Sequence, residues 1–164
     1  MNLLAIYLND HFAGAVVGLE LAKRTLGNNR GTEYEAFLEQ LVDDIHDDQV
    51  TLGRIIERSG IAKSPVKPGL AWVSEKVGRL KLNGAITGYS PLSRLLELEA
   101  LRLGIEGKLA LWRSLAEAPA SGAQVTAEEL QELARRAEAQ IELVEEHRLR
   151  AARAALAAPA DVGT

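Results

Sequence analysis

Four long stretches of helix-period hydrophobicity, cut by turn signals into two close pairs, constrain this chain more than any other feature. The first runs from Leu3 to Leu26 and meets the breaker run Gly27-Asn28-Asn29. The second, 33–59, opens behind Thr32, an N-cap candidate with Glu35 three residues on at capping-box spacing, and stops at Gly60. The third, 91–118, follows Ser90-Pro91, a cap and then a first-turn proline, and stops before Pro119. The fourth, 127–156, is capped by Thr126, with Glu129 completing a second capping box, and runs out before Pro159. Each stretch is roughly 24 to 31 residues, or about 36–46 Å at ~1.5 Å per residue. Four helices of matched length predict a bundle.

The connections set the expected topology. About five residues join the first pair and about eight the second, so each pair is an antiparallel hairpin. Residues 60–90 lie between the pairs and contain Pro65, Pro68 and an amphipathic piece near Leu70–Leu82. A link of that length can return the chain along the whole bundle, leaving the second and third helices parallel. The fold expected is all-α, an up-down four-helix bundle with one long crossover, forming a single domain over 1–157 with a disordered tail at 158–164.

Composition narrows the function classes. A net charge of −4 without a Lys/Arg stripe on any face argues against a nucleic-acid partner. The absence of cysteine removes disulfides, thiolate metal sites and cysteine nucleophiles. Met1 to Leu8 is apolar but has no basic region and no small-residue cleavage site, so it is expected to open a helix rather than to serve as a signal. No run approaches about 18 apolar residues, so no membrane partner is expected and the cytoplasm is the expected location. No Gly-x-Ser-x-Gly elbow and no phosphate-binding glycine loop is present.

Two local patterns carry a family resemblance. The second helix holds Asp43-x-x-His46, and the fourth holds Val144-Glu145-Glu146-His147. With the two hairpins and the crossover, the chain resembles the ferritin-like superfamily over its four helices. Dimetal members carry a Glu on the first and third helices and Glu-x-x-His on the second and fourth. Here Val144 stands where that motif has its carboxylate. At 100° per residue, His46 falls about 140° and Asp43 about 160° from the centre of the second helix's apolar stripe, so both point outward. The middle level, near Gly14, Ala15, Ile45, Gly104, Ile105 and Ile141, is apolar.

Other charges do face inward. Asp48 lies near the centre of the second helix's stripe and Arg148 near that of the fourth, while Glu97 and Lys108 lie on the apolar face of the third. Unpaired buried charge is costly, so two interhelical ion pairs are expected, Asp48–Lys108 and Glu97–Arg148, setting helix register. Gly14, Gly18, Gly104 and Gly107 are expected to allow close helix contact, since each costs about 1 kcal/mol in a helix interior. The first helix has a second apolar stripe of Leu3, Ile6, Ala13, Val17 and Leu21 around Asp10. The third has Leu92, Leu96, Leu103 and Ala110, with Glu99 and Glu106 among them. The crossover, with Trp72, can cover part of these second faces, and homodimerisation through the rest is expected.

The function expected is that of a metal-free ferritin-like bundle acting as a structural, binding or assembly module, with no cofactor. The alternative is a di-iron or di-manganese oxidase, oxygenase or iron-handling protein with ligands drawn from Asp10, His11, Asp44, Asp48, Glu99, Glu106 and His147. A surface divalent-ion site at Asp43, His46 and Asp47 is a further candidate, because these share one side of a helix. Whether the chain is an enzyme is left open by the sequence.

Overall fold

A computed structural model describes residues 2–63 and 89–157. The described residues form four long helices and no strand: α1 Leu3–Asn28, α2 Glu35–Arg58, α3 Pro91–Glu117 and α4 Ala127–Leu156, with a 3-10 turn at Pro119–Ser121. No described helix is long and apolar enough to cross a membrane. The expected crossover piece near Leu70–Leu82, with Trp72, and the tail 158–164 lie outside the described residues.

Caps explain where three of the helices begin. Asn2 accepts from the Ala5 amide ahead of α1. Ser90 and Ser93 form a capping box around Pro91 at the start of α3, and Thr126 and Glu129 form another ahead of α4. The box expected from Thr32 and Glu35 does not form. Thr32 donates to the Asn29 carbonyl at 2.7 Å, and the Glu35 carboxylate is drawn back onto Arg30 and the Gly31 amide. Gly31, at φ +73°, turns the chain so that α2 starts at Glu35 behind Tyr34, which makes no side-chain cap.

Contacts fix the helix directions. Arg24 and Asn28, at the end of α1, reach Glu97 near the start of α3, so these helices run antiparallel. Tyr34 and Phe37, at the start of α2, pack on His147 near the end of α4, and Arg58 at the other end of α2 pairs with Glu129. Both α2 and α3 therefore begin at the end of the molecule where α1 finishes. A polar corner closes that end. Asn29, fully buried, donates to the Thr25 carbonyl and to Tyr89 Oη and accepts from Arg94. Tyr89 donates to Glu97 at 3.0 Å, and burial, with Glu97 beside it, pushes its phenol above the usual tyrosine range.

One apolar core joins all four helices. On α4 the buried residues are Leu130, Leu133, Ala137, Gln140, Val144, His147 and Ala151, a strict seven-residue repeat. Leu41, Asp48 and Ile55 repeat the spacing on α2, with the cap residue Tyr34 one heptad before Leu41, as do Leu98, Ile105 and Trp112 on α3. Each buried Leu or Ile contributes about 1.5–3 kcal/mol. The seam on α4 carries His147, not Arg148, and this corrects one of the expected ion pairs.

A glycine-walled cavity beside a buried charge network

The polar layer starts with Asp48, 3% exposed in the α2 seam. Lys108 of α3 donates to its Oδ2 and also to Gln140 Oε1 of α4. Gln140, 4% exposed, donates to the same Oδ2 at 3.0 Å. Arg136 stands 3.0 Å from Oδ1, an ion pair without hydrogen-bond alignment. Three helices thus place Asp48, Lys108 and Gln140 in one layer, where unpaired charge would be costly. Burial lowers the Lys108 pKa, and the Asp48 carboxylate opposes that shift.

Glu97 and Arg148 do not pair. Glu97 is held by Arg24 at 3.2 Å, with Asn28 and Tyr89, at the corner. Arg148 lies on the flank of α4, where it meets Glu145 at 2.7 Å and Glu99 at 3.6 Å. The cause is helical phase. A seven-residue seam drifts from a 100° wheel by about 20° per heptad, which carries Arg148 away from the core and His147 into it.

The remaining candidate metal ligands are dispersed. His147 stacks on Phe37 at 3.8 Å, with Nδ1 2.9 Å from the Leu143 carbonyl. Asp44 accepts from Gln40, and Glu106 pairs with Arg102. Asp43, His46 and Asp47 are exposed, with His46 3.9 Å from Asp47. Among the described residues no three His, Asp or Glu side chains gather in a way that could hold a metal ion. Asp10, His11 and Asp48 do share a surface, and it is the wall of a cavity.

That cavity, of about 550 Å³, lies between α1, α2 and α3. Val17, Leu21, Ile45, Ala100, Leu101 and Ile105 form its apolar side, with Tyr7, His11, Asp48 and Lys108 also in its lining. Gly14, Gly18, Gly104 and Gly107 complete the wall. Among the described residues, a Cβ added at any of the four would meet no atom within 4 Å. The expectation that these glycines allow close helix contact is therefore not met among the described helices, where the space beside each glycine is open. Following the antiparallel pair from the Arg24–Glu97 contact brings Gly18 level with Gly104 and Gly14 with Gly107. His11 packs edge-on to Tyr7 at 4.6 Å, and burial lowers its pKa against the opposing Asp10 carboxylate. Trp112, 1% exposed, also lines the cavity, and its indole N–H meets no acceptor among the described residues.

Sequence reasoning missed Gln140 and Arg136 as partners of Asp48. Gln140 was findable, since it lies three residues after Ala137 and four before Val144, on the seam itself. It also missed the cavity, because a glycine that brings two helices together and one that leaves a gap are the same letter. Against family models, curated proteins and solved structures, the chain gives no match.

Proposed function

We propose that the chain is a metal-free, ferritin-like helical bundle that works by binding, holding a small, largely apolar molecule in the cavity between α1, α2 and α3. The observation that carries this reading is the glycine wall. Four helix-interior glycines give up about 1 kcal/mol of helix propensity each relative to alanine. In return they leave a space of about 550 Å³, within the range of small-molecule pockets, apolar with a few placed polar groups. The ferritin-like assignment is supported by the two hairpins and by α2 and α3 starting at the same end. The reading includes a homodimer through the second faces of α1 and α3, where Leu3, Ile6, Leu92 and Leu103 are exposed.

The test is fluorescence of N-phenyl-1-naphthylamine, an uncharged dye that brightens in apolar surroundings. Wild type is expected to bind it saturably. Gly18→Leu combined with Gly104→Leu fills the cavity and is expected to stay dark while unfolding cooperatively. Equal brightening of both proteins would refute the site.

A further inference from the structure

Among the described residues of the cavity wall His11 is the one histidine, and its charge bears on whether an apolar molecule can stay there. We propose that protonation of His11 expels the cavity's occupant, so the chain holds an apolar ligand near neutral pH and releases it in mild acid. The inference rests on the binding reading above.

Helix geometry turns His11 to the cavity. His11, Gly14, Gly18 and Leu21 stand at i, i+3, i+7 and i+10 on α1, one face of the helix, and all four line the space. The two glycines that follow His11 on this face carry no side chain that could screen its ring from an occupant. Tyr7, one turn earlier, packs edge-on to the ring at 4.6 Å. The titratable groups of the wall are Tyr7 and Asp10 on α1, Asp48 on α2 and Lys108 on α3. Asp48 lies against Lys108 and Arg136, and Asp10 is the carboxylate whose charge acts on His11. Asp10 is exposed, so water weakens its hold, and burial of the imidazole prevails over it. An apolar occupant strips further water from the half-buried ring, and loss of water penalises the charged form most. By linkage, a proton on His11 and a ligand in the cavity each weaken the binding of the other. The chain's other two histidines lie outside the wall, His46 exposed on α2 and His147 stacked on Phe37.

The test is the affinity of the full chain for N-phenyl-1-naphthylamine between about pH 7.5 and about pH 5, a range in which ordinary carboxylates stay ionised. The dye is uncharged throughout, so its affinity reports titration of the protein alone. With chelator present and melting recorded at each pH, folded wild type is expected to bind at least about threefold more weakly at the acid end. His11→Gln keeps a polar side chain without ionisation and should bind equally at both ends. In histidine NMR titrations of wild type, saturating dye should lower the His11 pKa by at least about half a unit and leave His46 where it was, the shift that a threefold change requires. A wild-type affinity that is flat over this range overturns the switch and leaves the cavity reading standing. So does a slope that survives His11→Gln, or a His11 pKa that the dye does not move. If the dye binds at no pH, the cavity reading itself falls, and this inference falls with it.

Discussion

Asp48 occupies a seam position where its helix elsewhere places Leu41 and Ile55. A charge there persists only because α3 and α4 each bring a partner to it, so the whole layer depends on one carboxylate. Asp48→Ala should lower stability by about 3–5 kcal/mol in denaturant titration, since it strands the buried Lys108. Asp48→Leu with Lys108→Met should cost far less than the two single changes combined. Additive losses would mean that the pair does not interact. Lys108 also makes stability depend on pH. Its folded pKa lies below the ordinary value of 10.5, so between the two values the unfolded chain binds more protons. Stability should therefore rise with pH through that window and level off above 10.5, and Lys108→Met should remove the rise. Asp48 and Lys108 could be paired from sequence because each sits on an apolar face. Arg136 could not, since it reaches Asp48 from the flank of α4, where an arginine looks solvated.

Among the elements, α1 and α3 differ from the other two helices in carrying paired glycines along a shared face. Since a Cβ meets nothing there among the described residues, Gly14→Ala, Gly18→Ala, Gly104→Ala and Gly107→Ala should each raise stability by up to about 1 kcal/mol. Destabilisation on thermal melting would show that the helices are in close contact after all. The α4 cap should act in the ordinary sense, with Thr126→Ala costing about 1 kcal/mol as its hydrogen bond to the Glu129 amide is lost. Helix positions were legible because proline, glycine and cap residues are local signals. Faces were less so. Over the length of α4 the drift between a 3.6-residue wheel and a seven-residue seam reaches about 80°, enough to exchange the places of His147 and Arg148. Thr32 and Glu35 show the other limit: spacing permits a capping box, but Arg30 and Gly31 compete for the same carboxylate.

At the scale of the molecule, helix number and direction follow from the turn signals and link lengths, whereas the cavity comes from what the helices leave unfilled. Metal analysis separates the two broad readings. Protein grown with supplemented iron and manganese should carry no stoichiometric metal, and chelator should leave its unfolding midpoint unchanged. Bound metal lost on Asp48→Ala or His147→Ala would restore the dimetal alternative. Leu103→Glu, on the exposed second face of α3, should shift a dimer towards monomer in light scattering, and a monomeric wild type would remove that partner. The most direct measurement is titration of octan-2-one into wild type and into Gly18→Leu/Gly104→Leu, with the thermal stability of both recorded. Saturable one-to-one binding to wild type, absent from a variant that is at least as stable, is the result predicted. Binding that survives in the filled variant, or is absent from both, would contradict a ligand cavity between α1, α2 and α3.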